Sequence, residues 1–130
     1  MRKKHLYILG IVLVVIALII IVMVGFYTKS RSNLENLASI EIQDVDLTKI
    51  EDGNYKGSYE AFPVSVEVNV EVKNHEIIDI KILKHVNGQG GPAEKITELI
   101  IETQSLNVDV VAGATFSSKV IIKAVEDALK

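Results

Sequence analysis

Cysteine is absent from this chain of 130 residues. That excludes a lipid-modified cysteine anchor and a thiol nucleophile, and it fits an oxidising compartment without requiring one. Histidine is nearly as scarce, and His5, His75 and His85 are too scattered to suggest a zinc site. There is no Walker loop. The stretch Gly88-Gln89-Gly90-Gly91 lacks the strand-to-helix spacing of a dinucleotide fingerprint, and it reads first as a flexible connector and second as a ligand loop. No internal repeat or low-complexity tract is present.

Charge is missing where its absence says most. From Leu6 to Tyr27 there is no Asp, Glu, Lys, Arg or His, and Ile, Val and Leu dominate the run. In a helix rising 1.5 Å per residue, such a run crosses a hydrocarbon core of about 30 Å. A buried core helix fits poorly, because the run has no polar face and the remaining chain is too small to wrap it. A cleaved signal peptide fits poorly, since the run exceeds the usual ~7–15 residues and Thr28-Lys29-Ser30-Arg31 offers no small-x-small site. The expected organisation is residues 1–5 in the cytoplasm, a transmembrane helix at 6–27, a polar stalk at 28–51 and a domain at 52–130. Arg2, Lys3 and Lys4 precede the span against Lys29 and Arg31 after it. The positive-inside rule then places the N-terminus in the cytoplasm and the domain outside it.

Beyond Arg31 the balance reverses. Five of the 14 basic residues lie at or before Arg31 and all 17 acidic ones after it, so nine face 17 and Ser32–Lys130 carries −8. A surface of that sign argues against nucleic acid and for solubility beside anionic headgroups.

Within the domain, Asp52-Gly53 is a turn dipeptide that opens Asn54–Tyr59. Val64, Val66, Val68, Val70 and Val72 alternate with polar residues, and Ile78, Ile80 and Ile82 follow with the same period, which predicts a hairpin near 64–84. A three-residue turn, Asn74-His75-Glu76, would pair Val72 with Ile78, Val70 with Ile80 and Val68 with Ile82 and keep both apolar rows on one face. Pro92 suits the first turn of a helix over about 92–104, with Ile96, Leu99, Ile100 and Thr103 on one side. A second helix over about 117–130 repeats Ile121, Ala124, Val125, Ala128 and Leu129 at i, i+3, i+4, i+7 and i+8. The fold class expected is α+β, a small antiparallel sheet packed against two helices and preceded by one transmembrane helix.

The last candidate for chemistry is Asp109-Val110-Val111-Ala112-Gly113-Ala114-Thr115-Phe116-Ser117-Ser118, which leads into the second helix. Taken alone it reads first as a tight turn in which Thr115, Ser117 or Ser118 caps the helix. The same chemistry makes an anion site, where unpaired N–H groups and the positive helix end favour a phosphate.

From about Asp52 to Lys130 several elements occur in order: Asp52-Gly53-Asn54-Tyr55-Lys56-Gly57; His85 with Gly90 and Ala93; Gln104 through Val108-Asp109; Gly113-Ala114-Thr115 with Ser117-Ser118; and Ala124-Val125-Glu126-Asp127-Ala128-Leu129. On these the chain resembles the FMN-binding domain family, to which the sodium-translocating NADH:quinone reductase C subunit and the Rnf complex G subunit belong. The resemblance implies FMN esterified through its phosphate to Thr115, within a site of Gly113, Ala114, Ser117, Ser118, Asp109 and His85. It implies a magnesium-requiring transferase that takes FMN from FAD and reads Asp109, six positions before Thr115. It also implies other redox proteins or quinone-linked membrane reductases as partners. The family usually has Ser or Thr before the Gly, where this chain has Ala112 with no hydroxyl to offer. The resulting expectation is a redox carrier with no substrate turnover of its own, set against a flavin-free ligand- or wall-binding module and a non-catalytic assembly subunit.

Overall fold

The computed structural model describes residues 2–39, 41–86 and 91–130. Helix α1 covers Arg2–Ser39, strands β1, β2 and β3 cover Gly53–Ala61, Val64–Lys73 and Glu76–Val86, and helices α2 and α3 cover Ile96–Thr103 and Thr115–Leu129. This is an α+β arrangement. Within α1, Lys3–Lys29 is long and apolar enough to cross a bilayer, and none of it is buried against the rest of the protein.

The three strands form one antiparallel sheet in the order β1-β2-β3. All five valines of the β2 row are buried, as the alternation requires. α3 packs across β1 and β2, and α2 lies against β3. β1 comes close enough to α3 that a Cβ on Gly57 would stand 2.2 Å from the Ala124 carbonyl oxygen and 2.4 Å from the Ala128 nitrogen. Only glycine permits that approach.

The hairpin turn is a correction. Lys73 pairs with Glu76 and Val72 with Ile77, so the loop has two residues, Asn74 and His75, and Val72 does not face Ile78. Both loop residues have positive φ, 53° and 64°, which is the type I′ geometry that matches strand twist. Asp52 Oδ1 accepts from the Asn74 N–H at 2.6 Å, and His75 Nδ1 lies 2.9 Å from the Ile50 carbonyl oxygen. These contacts hold the shorter turn. Two bulges then restore the expected pairs Val70–Ile80 and Val68–Ile82 by skipping Ile78 and Leu83 on β3. The skipped side chains are left exposed.

Residues 41–50 lie along the domain. Ile50 is buried, Ile42, Val45 and Leu47 pack on the core, and Leu47–Lys49 forms one 3-10 turn. Asp44 accepts from the Ser105 hydroxyl at 2.6 Å and from the Leu106 N–H at 2.9 Å.

These contacts fix the direction of α3. Lys130 Nζ reaches Gln43 Oε1 at 3.4 Å, beside Asp44 and the loop after α2. That loop adjoins Gln104, whose side chain bonds Ile77 next to the β2–β3 turn. Asp127 accepts from the Ser58 N–H at 2.9 Å, and Lys123 stands over the Tyr59 ring at 6.0 Å, one residue nearer the β1–β2 turn. α3 therefore runs antiparallel to β1. Its first residue lies toward the β1–β2 turn, Phe62–Pro63, whose peptide bond is cis.

Candidate functional site

α3 begins at Thr115, earlier than the periodicity of its apolar face suggests, because its first turn is closed by backbone. The Ser118 N–H donates to the Ala114 carbonyl at 2.9 Å, and the Ala114 N–H donates to the Val111 carbonyl at 3.0 Å. Ala114 occupies the N-cap position and no side chain caps the helix. The expected cap by Thr115, Ser117 or Ser118 is thus corrected. Thr115 is itself the first helical residue, so its hydroxyl is exposed at the end where N–H groups lack intrahelical acceptors.

Gly113 makes the turn into that position. Its φ is +79°, and a Cβ there would meet nothing within 4 Å. The strain of a side chain would come from the backbone alone, and the space in front of the helix stays open. Ala114 is buried beneath the turn.

Ser118 is buried and its hydroxyl is already engaged. It accepts from the Val111 N–H at 3.1 Å and donates to the Ala114 carbonyl at 2.8 Å. Its place is under the loop, holding Val111 to Ala114. Ser117 is buried too, at 3% exposure, so Thr115 alone of the three hydroxyls faces solvent. Asp109 is exposed on the extended stretch before the turn.

His85 lies opposite Val66 near the end of β3. Its side chain points into the layer between sheet and helices, 3% exposed, with Nδ1 2.8 Å from Glu94 Oε1. Glu94 sits on a 3-10 turn, Gly91–Lys95, that packs against α3. Pro92 belongs to this turn, so α2 proper starts four residues after it. An open cleft lined by Ile80, Ile82, Glu94, Lys95, Thr97 and Glu98 borders the pair. His85 and Thr115 thus share the end of the domain that carries the β1–β2 turn. Gly88–Gly90 lie outside the described residues.

Two partners escaped the sequence. Glu94 has no periodic or motif signal to tie it to His85. Gln104 has left-handed backbone, φ 54°, and its amide grips the edge of β3. A polar residue just past an apolar helix was the available hint.

The donor set suits a phosphate monoester. It offers an exposed hydroxyl, an uncapped helix start and an open glycine turn, and these take an anion without a buried counter-charge. Residues 59–130 match the FMN-binding domain family. The chain is also similar to an NADH:acrylate oxidoreductase of Vibrio harveyi, 33% identical over 92 residues, which is 68% of this chain and 9% of that protein. The chain therefore spans under a tenth of that relative's length. It belongs to the FMN-binding domain family, and FMN is its cofactor.

Proposed function

We propose that the chain is a membrane-anchored electron carrier outside the cytoplasm, with FMN held as a phosphoester on Thr115. The exposed Thr115 hydroxyl at the open start of α3 carries this reading, because it is the one hydroxyl of its loop not buried. Flavin supplies the redox chemistry when bound, and the protein supplies attachment, tether and electrostatics. A covalent link matters outside the cell, where a dissociated cofactor is lost.

Attachment needs a donor with an activated phosphate. In transfer from FAD, the Thr115 Oγ bonds to the FMN phosphorus, the pyrophosphate P–O bond breaks, AMP leaves and the hydroxyl proton is released. A magnesium-requiring transferase fits this step, and Asp109, whose side chain is exposed, is the residue we assign to its recognition. Gly113 and Ala114 shape the turn, Ser118 holds it together and Ser117 lies beneath the first turn. His85, oriented by Glu94, lies at the same end with its side chain buried, and its part in the flavin site is proposed from the family resemblance.

The carrier reading rests on the small size of the domain and on its membership of the FMN-binding domain family. The anchor reading rests on the unburied apolar stretch of α1. The chain produced with such a transferase is expected to stay yellow and to keep one FMN in mass after denaturation. Colour lost on denaturation would refute the phosphoester.

A further inference from the structure

The β1–β2 turn carries an aromatic ring that the flavin site does not use. The Phe62 ring meets the Phe26 ring edge-on, with centroids 5.2 Å apart and planes at 82°. Lys29 Nζ lies 5.4 Å from the Phe62 centroid. Phe26 is in the last turn of the apolar stretch, and Lys29 closes it. α1 continues to Ser39, which carries the chain about 15 Å beyond that boundary at 1.5 Å per residue. The turn nevertheless comes back to the boundary. Two apolar rings beside the lysine that ends an apolar span fit the headgroup–acyl boundary, with the rings on the lipid side and the cation reaching to water.

The turn also marks the end of the domain at which α3 starts and β3 finishes. Whatever holds Phe62 at the bilayer surface therefore turns Thr115 and His85 toward that surface. Residues 52–130 hold eight basic against 12 acidic side chains, a balance of −4, and gain nothing from anionic headgroups. Attraction must then come from the ring and its apolar neighbours, which any lipid interface satisfies.

We propose that Phe62 seats in the interfacial layer of the bilayer crossed by α1, so that the domain lies with its Thr115 end facing the membrane and does not swing freely on its tether. This rests on the reading of α1 as a span. The occupant of the Phe62 face is lipid. A flavin on Thr115 is then presented toward the plane of the bilayer.

The chain contains no tryptophan, so each introduced one reports alone. The full chain is reconstituted in phosphatidylcholine vesicles with quenchers either near the headgroup or deep in the acyl chain, as Phe62→Trp, Leu13→Trp and Lys73→Trp variants. Leu13→Trp should lose fluorescence to the deep quencher. Phe62→Trp should lose it to the headgroup-proximal quencher, and Lys73→Trp, at the opposite end of the sheet, to neither. If Leu13→Trp is quenched and Phe62→Trp is not, docking is overturned while the span stands. If Leu13→Trp is unquenched, the span fails and docking with it. Equal quenching of Phe62→Trp and Lys73→Trp would also overturn the proposed orientation.

Discussion

Gln104 and Ile77 exchange two hydrogen bonds, with Gln104 Oε1 accepting from the Ile77 N–H at 2.7 Å and Nε2 donating to the Ile77 carbonyl at 2.8 Å. The amide thus imitates the next strand at the free edge of β3. Nε2 also donates to the Ile101 carbonyl at 2.6 Å, which closes the end of α2. On the opposite edge, Asp127 occupies the Ser58 N–H. Side chains thereby satisfy edge groups that would otherwise recruit another strand.

Gln104→Ala should destabilise the domain on the order of 2 kcal/mol, because the buried Ile77 backbone loses both partners. Chemical denaturation of the full chain in detergent, followed by far-ultraviolet dichroism, measures it. Wild-type stability in this variant would mean that water replaces the amide at no cost.

Gly57→Ala tests the approach of β1 to α3. The added methyl would stand 2.7 Å from the Ala128 Cβ as well as against backbone, and overpacking of this kind costs roughly 1–3 kcal/mol. Gly53→Ala is the comparison, since its Cβ meets only the Tyr55 ring at 3.6 Å, an ordinary contact. Its effect should stay within about 0.5 kcal/mol. Equal melting points for the two variants would contradict the packing described.

The rows of Val64–Val72 and the stripe of α3 were legible because each is a strong periodic signal with one buried face. β1 was not legible as a strand. Its inward positions are Tyr55, Gly57, Tyr59 and Ala61, opposite the β2 valines, and a glycine demanded by helix contact hides the alternation. The turn is one residue shorter than the alternation predicts, also for a physical reason. Pairing rules assume an unbroken register, and bulges at Ile78 and Leu83 let a two-residue turn satisfy the same apolar rows. At the site, the Gly-Ala-Thr turn was readable, whereas the helix start was not, because Ser118 bonds backward to Ala114 in place of a forward cap.

Glu126 gives a pH dependence with a definite sign. Burial by itself would raise its pKa, but hydrogen bonds from Lys123 and Lys130 outweigh that and hold the carboxyl below its ordinary 4.5. A carboxyl depressed in the folded state contributes stability that is complete above the unfolded value and is lost as pH falls through the folded one. Unfolding followed from pH 7 down to pH 2 should show wild type losing stability below about 4.5, and Glu126→Gln should show a shallower fall. Parallel acid limbs would remove Glu126 as a contributor.

Asp109→Ala should lower flavin attachment with little change in stability, within about 0.5 kcal/mol, because the side chain is exposed. Adduct yield and melting are read on one sample. Loss of adduct that tracks loss of fold would assign Asp109 to the turn and not to the transferase.

Thr115 bears the central claim. The chain, its Thr115→Ala variant and its Thr115→Ser variant are each produced with the transferase, denatured and weighed intact. The wild type should carry one FMN, the Ser variant a fraction of it and the Ala variant none. All three should melt within about 0.5 kcal/mol of one another, since no side chain caps α3. An FMN adduct of undiminished yield on Thr115→Ala would contradict the assignment outright.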